Sequence, residues 1–294
     1  MMKTNEKRLV MIAVEGRVAP ALAYPNSVGH DGRVHNVPAI GGITLNVLVG
    51  DSAFGWAADH VEPAVSTILN ADKRSDRPNI GYNFLACIGN EARVMTGAAK
   101  GARGIVTGHH GGCEHVIIDF PKKALEKLST EDRFQIRAFG QGLSLEGHTD
   151  VTVGSIDPAL LARIGLKEKG KGIEVPVSAV IPGKLMGSGL GEGQAKTGDY
   201  DMQTADRGAL KRHGIDNLKL GDIVAIADHD ASFGWRYLEG ACVIGVVIHG
   251  DSNLSGHGPG ISTIMTCPAG KLLPKKTPGA NIARILKIGR FRRP

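Results

Sequence analysis

The chain has 294 residues with an ordinary 42% hydrophobic share, only 4% aromatic residues, and 41 glycines, about twice the usual glycine content of roughly 7%. It is therefore expected to be a soluble, turn-rich globular protein of one large β-rich domain or two smaller ones. The formal charge of +6 is concentrated in residues 271–294, which hold eight basic side chains and no acid. The rest carries 27 basic against 29 acidic residues, and that balance argues against nucleic acid as a partner.

Taken in chain order, residues 9–14 form an apolar run too short for a secretory signal core or a membrane span, so a cytoplasmic location without a membrane partner is expected. Further runs bounded by glycine predict strands over 43–49, 82–88, 93–96, 115–120, 134–139, 175–181, 222–227, 241–248 and 261–266. Helices are predicted over 121–128, which opens with Pro121, and after Asp157. There Pro158 opens a turn closed by Gly165, combining a capping residue, an N1 proline and a C-terminal glycine. The polar run 167–172 reads as a linker, giving domains 1–166 and 167–270 and a basic tail 271–294, solvated or docked on a neighbouring subunit. The expected fold is mainly β (α+β), with barrel- or sandwich-like domains, few short helices and two lobes that a duplication would relate.

The hint of duplication is an echo. Asp51-Ser52-Ala53-Phe54-Gly55-Trp56 recurs as Asp230-Ala231-Ser232-Phe233-Gly234-Trp235, with Asp59-His60 near the first copy and Asp228-His229 beside the second. These loops nominate Asp51, Trp56, Asp59, His60, Asp230 and Trp235 as ligand-binding residues, since ligand sites form between lobes. Equally, each tryptophan could simply pack on a core.

Cys87, Cys113, Cys242 and Cys267 are dispersed and form no CxxC pair, which argues for reduced thiols and against a zinc ribbon. The densest donor cluster is Thr107-Gly108-His109-His110-Gly111-Gly112-Cys113-Glu114-His115. His109, His110 and His115 are the candidate ligands of a divalent metal, although neither structural zinc spacing nor HExxH is present. Asp228, Asp251 and His257 suit general-base catalysis or metal–water activation, but strand geometry separates Asp228 from His249-Gly250-Asp251. The run 186–193 around Ser188 lets the backbone approach an anion yet matches neither a nucleotide fingerprint nor a nucleophile elbow. Asp199 and Asp201 share one face if extended and could hold a cation. The turn Gly29-His30-Asp31-Gly32-Arg33-Val34-His35 reads as a surface turn.

Several strings carry a resemblance: 50–56, Asp59-His60-Val61-Glu62-Pro63, His110-Gly111-Gly112, 185–189, Gly198-Asp199-Tyr200-Asp201 and Gly256-His257-Gly258-Pro259-Gly260. Over most of its length, the tail excepted, the chain resembles a prokaryotic family of uncharacterised proteins known only as a domain of unknown function (DUF 4438). The resemblance implies shared loops and supplies no catalytic residue. Shorter strings, 220–226 and His249-Gly250-Asp251, are similar to β-rich amide hydrolases of the acetamidase and formamidase kind. Two functional classes follow. One is metal-assisted hydrolysis of a small polar, amide-like substrate; the other is a noncatalytic ligand-binding or homo-oligomeric assembly protein.

Overall fold

The short apolar runs of the first half roll into a small barrel in the computed structural model, which describes residues 2–193 and 195–293. Strand β1 (Ile12–Val18) is followed by a hairpin of β2 (Ala23–Val28) and β3 (Val34–Pro38), then β4 (Ile43–Thr44) and β5 (Ala64–Ile68). The series continues with β6 (Glu91–Val94), β7 (Arg103–His110), β8 (His115–Asp119) and β9 (Arg133–Ala138). Hydrogen bonds run in the order β1-β9-β6-β7-β8-β5, and Arg17 of β1 pairs with Ile68 of β5. Six strands thus close on themselves, with β4 beside the other half of β5. Closure leaves these strands no free edge. Side-chain alternation fills the interior: Val116 and Ile118 of β8 point inward with Val94, Val106, Phe134 and Ile136, while Ile117 between them faces the second half.

The second half adds β10 (Thr152–Val153), β11 (Lys167–Lys169), β12 (Gly172–Val177), β13 (Ala179–Ile181), β14 (Tyr200–Asp201), β15 (Ile223–Asp230), β16 (Arg236–Val247), β17 (Gly260–Cys267) and β18 (Leu272–Lys276). The larger sheet runs β10-β17-β16-β15-β13, with β14 pairing to the start of β17. Both of its faces are covered. Ile223, Ala225, Ile244 and Val246 pack toward the barrel with Ile88, Ile117 and Val175, whereas Val224, Ile226, Val243 and Val247 pack with Tyr200, Met202 and Leu210. Burial on both faces explains why these strands read as unbroken apolar runs. Among the described residues the short α-helices are α1 (Arg77–Leu85), α2 (Lys122–Leu125), α3 (Pro158–Ile164), α4 (Arg207–His213) and α5 (Ile282–Leu286). In α3 the Asp157 carboxylate accepts from Ala159 N–H and Gly165 takes the left-handed conformation at φ 90°, as the sequence predicts. Among the described residues no helix is long and apolar enough to cross a membrane.

Three stretches depart from the sequence reading. Residues 82–88 were expected as a strand but belong largely to α1, whose buried face is Asn79, Tyr82 and Asn83 rather than an apolar stripe. The run 43–49 is a strand only at Ile43–Thr44, after which Val47 and Val49 enter two different cores from a loop. Residues 167–172 are a hairpin, with Lys167 opposite Glu174 and Lys169 opposite Gly172.

The basic segment docks on its own chain. Leu272–Lys276 pairs in parallel with β12, and Ile282 and Ala283 are buried. Its cations meet acids of the body, Lys271 with Asp150, Lys275 with Glu174, Arg290 with Asp51 and Arg292 with Asp119. Asp119 is fully buried on β8, and burial raises its pKa despite the Arg292 guanidinium. Arg292→Ala would leave that carboxylate without its cation. Because the arginine is partly exposed, the expected loss is about 1–3 kcal/mol of unfolding free energy, readable as a lower urea midpoint at unchanged slope. An unchanged midpoint would show that the tail contributes no stability through this pair.

Candidate metal centre

One cleft, of about 460 Å³, opens where the β7–β8 end of the barrel meets β14 and the loops flanking β16 and β17. Its size suits a small molecule. His110 ends β7, Cys113 lies in the following turn and His115 begins β8. His60 and Glu62 come from the loop entering β5, with His60 in the left-handed region at φ 51°. Asp199 and Asp201 flank Tyr200 of β14. Because alternate strand positions share a face, both carboxylates reach the same group of histidines. His249 follows β16 and His257 precedes β17.

The histidines are oriented from behind. His60 Nδ1 meets the Asp59 carboxylate, which also accepts from Ser252 Oγ and Asn253 N–H. His110 Nδ1 lies 2.8 Å from Glu62 Oε1, and Glu62 further binds His115 Nδ1 at 3.0 Å, Ser66 Oγ at 2.7 Å and Gly41 N–H at 2.6 Å. His249 Nδ1 lies 2.8 Å from the carbonyl oxygen of Gly250. A carbonyl or ionised carboxylate only accepts, so each Nδ1 is assigned a proton, and in the neutral ring that a metal requires Nε2 then carries the free lone pair. A carboxylate or carbonyl fixing one ring nitrogen while the other faces inward is the usual support for metal-binding imidazoles.

What those Nε2 atoms face is acidic. His249 Nε2 lies 2.8 Å from Asp199 Oδ2 and 3.5 Å from Asp201 Oδ1. His60 Nε2 is 3.1 Å from His257 Nδ1 and 3.6 Å from Asp201 Oδ2, and His257 Nδ1 is 2.9 Å from that same oxygen. The His110 and His249 rings stack with centroids 4.2 Å apart. Although so close to each other, Asp199 Oδ2 and His249 Nε2 are out of hydrogen-bond geometry, and both are buried with no hydrogen-bond partner among the described residues. Three donor groups result, each with its ligand atoms within 4.8 Å of one another: His110, Asp199 and His249; His60, Asp201 and His257; Glu62, Cys113 and His115.

The charges are tightly balanced. Burial works against the Asp201 carboxylate, yet the His249, His257 and His60 imidazoles around it hold its pKa well below the usual range. Glu62 is likewise held low against burial by His115 and His110. His249 is pushed well above the imidazole range: burial opposes the charge, but Asp199 and Asp201 outweigh it. His110 is lowered by burial and by its neighbour His249. Burial raises the Tyr24 hydroxyl at the cleft wall, helped by Cys113 and Asp59, so it stays protonated.

Of the residues nominated from sequence, His60, His110, Ser188, Asp199, Asp201, Trp235 and His257 line this cleft. Asp59 stands behind His60, and His115 is held by Glu62. Others lie elsewhere. His109, one residue from His110 on β7, points to the opposite side, where Nδ1 meets Asn83 Oδ1 at 3.0 Å and burial lowers its pKa to about 4. Asp228 occupies the left-handed conformation at a bulge in β15 and accepts from Gly240 N–H. The Asp251 carboxylate is taken by Thr204 and Arg207, and its backbone oxygen accepts from His60 N–H, so it braces the loop. Asp51 accepts from Leu48 N–H and pairs with Arg290, while Asp230 is bound by Ser232, Thr266 and Arg236. Both echoing tryptophans pack against the same core; Trp56 donates to Ser52 O and Trp235 to Thr263 Oγ1.

Two contributors were not singled out from the sequence, Glu62 and His249. A signal existed for each: Glu62 stands two residues after His60, and His249 ends a long apolar strand directly before Gly250-Asp251. Gly260 matters for a different reason. A Cβ there would sit 1.9 Å from Asp199 Oδ2 and 2.3 Å from His249 Nε2, so the donors occupy the space a side chain would need.

Comparison with known proteins matches this architecture. The family model described as domain of unknown function (DUF4438), N-terminal, matches residues 26–162, and its C-terminal counterpart matches residues 140–286. The crystal structure of TM1086 is similar at 48% identity with a TM-score of 0.90, over 96% of this chain and 98% of that one. No curated protein matches significantly. The chain therefore belongs to the DUF4438 family, carrying both its N-terminal and its C-terminal domain.

Proposed function

We propose that the cleft binds a divalent transition metal through His110, Asp199 and His249 and hydrolyses a small polar, amide-like substrate. The observation that carries this reading is the pair Asp199 Oδ2 and His249 Nε2, buried, 2.8 Å apart and not hydrogen-bonded to each other. Two donors about 2.1 Å from a common ion stand about 3.0–3.4 Å apart; the pair is slightly closer than that, at a distance a hydrogen bond also takes, but it lacks the alignment of one, and that misalignment favours an ion between the two atoms. Imidazole with carboxylate suits zinc, manganese, iron or cobalt rather than calcium. When bound, such an ion polarises a carbonyl and lowers the pKa of a coordinated water.

The rest of the cleft supplies binding. Tyr24 keeps its proton and can donate to a substrate oxygen. Arg74, anchored by its bond to Gly112 O, brings a cation to the wall, and Gly112, Gly189 and Gly198 let a small substrate approach the backbone. Glu62 holds two imidazoles in position and touches no substrate.

The test is ammonia release from formamide, acetamide and small cyclic amides by protein loaded with zinc, manganese or cobalt. Turnover that disappears on chelation and returns with metal is the expected result. Metal-independent turnover, or stoichiometric metal with none of these amides cleaved, would contradict the reaction.

A further inference from the structure

We propose that the cleft holds a second metal ion, at His60, Asp201 and His257, with the Asp201 carboxylate bridging the two. The inference rests on the metal reading above and adds a second ion to it.

The bridge follows from where the two carboxylate oxygens point. Asp201 Oδ2 lies 2.9 Å from His257 Nδ1 and 3.6 Å from His60 Nε2. Its other oxygen, Oδ1, lies 3.5 Å from His249 Nε2, which belongs to the first group. One carboxylate therefore serves two neighbouring donor sets through different oxygens, the arrangement by which a pair of ions about 3.5–4 Å apart is held. The three contacts within the second set, 2.9, 3.1 and 3.6 Å, bracket the donor spacing of about 3.0–3.4 Å around a single ion.

A second observation is the support behind this set. Asp59 fixes His60 Nδ1 and is itself held by Ser252 and Asn253 N–H, repeating on this side what Glu62 does for His110. A histidine retained only for core packing has no need of a carboxylate so fully braced. The two sets also differ in exposure. His110 and His249 are buried, whereas the His257 side chain is 33% exposed and lines the cleft. The outer ion is thus the more open of the two to solvent, and both are reached from the one cleft that His110, Asp199, Asp201 and His257 line. Water and substrate meet the outer ion first.

A relay of hydrogen bonds from Asp59 through His60 and His257 to Asp201 would use the same atoms without an ion, so the experiment must separate the two. Full-length protein is loaded with manganese, freed of loose metal by gel filtration, and measured for manganese per chain and by electron paramagnetic resonance. Two ions per chain with an exchange-coupled signal are expected for the wild type, and one ion with an isolated six-line signal for His257→Gln. One ion per chain and an uncoupled signal in the wild type would overturn the bridged pair while leaving the first site standing. No retained manganese, zinc or cobalt would overturn both. Should His257→Gln fold poorly, judged by its circular dichroism, the wild-type stoichiometry and coupling alone decide.

Discussion

Asp199→Asn is expected to abolish metal retention at the inner site and to lower metal-dependent amide hydrolysis by about a thousandfold, equivalent to about 4 kcal/mol of transition-state stabilisation. The carboxylate has two tasks. Oδ1 accepts from Gly111 N–H at 2.8 Å and ties the barrel turn to β14, while Oδ2 faces His249 Nε2 without a hydrogen bond. Asparagine keeps an oxygen for Gly111 and removes the charge that a cation needs. The metal-free variant should therefore fold and melt within a few degrees of the metal-free wild type, and the wild type should gain more melting temperature than the variant, which keeps only the outer set, when zinc or manganese is added. If Asp199 were merely the structural partner of His249, the ordering would reverse: breaking a buried charge pair costs about 3–5 kcal/mol, and the metal-free variant would melt far below the wild type.

Gly260→Ala is the second large effect. Gly260 is not in the left-handed region, so backbone conformation does not demand glycine there; occupied space does. The added Cβ would collide with Asp199 Oδ2 and His249 Nε2 at 1.9 and 2.3 Å. Overpacking of this kind costs about 1–3 kcal/mol, and the relief available is to push the two donors apart. Loss of metal together with a modest fall in stability is expected by elemental analysis and urea titration. Gly81→Ala in α1, where a Cβ meets nothing within 4 Å, serves as the control; it should retain metal and be neutral or stabilised by up to about 1 kcal/mol. A Gly260→Ala variant that binds metal normally would show that the donors are free to move and are not preorganised.

The parts of the fold that were legible share a cause. Strands β8, β9, β15, β16 and β17 are apolar on a buried face, or on two, and periodicity or a bare apolar run reveals them without knowledge of their neighbours. Strand β7 was missed because its content, Arg103–His110, is polar and glycine-broken. Gly108 is small there because Ile248 fills the place of its side chain, a fact of tertiary packing. Helix α1 was hidden by the reverse effect: Tyr82 to Ile88 looks like a strand, while the helix start at Asp76 and Pro78 lies outside the apolar run. The tail read as loose because charge dominates residues 271–294, yet Leu272, Ile282 and Ala283 are buried and the arginines find acids contributed by the barrel half.

The candidate site was legible in pieces. His60, His110, Asp199, Asp201 and His257 were each visible as loop-borne donors, and the tight turns around them marked where ligands would sit. Their convergence was not visible, since it depends on β14 lying beside β17 and on the β7–β8 turn meeting Asp199. Neighbours in sequence were a poor guide: His109 and His110 are adjacent and face opposite ways, as alternate strand residues must. Asp228 and Asp251 carry the right chemistry and spend it on a bulge and a brace.

The central claim is that metal ions sit among these histidines and aspartates. Anomalous diffraction from crystals grown with manganese or zinc, collected either side of the metal absorption edge, tests it most directly. The expected map has one peak between His110, Asp199 and His249 and a second between His60, Asp201 and His257. A map with no peak in this cleft, from crystals of protein incubated with excess metal, would contradict the account.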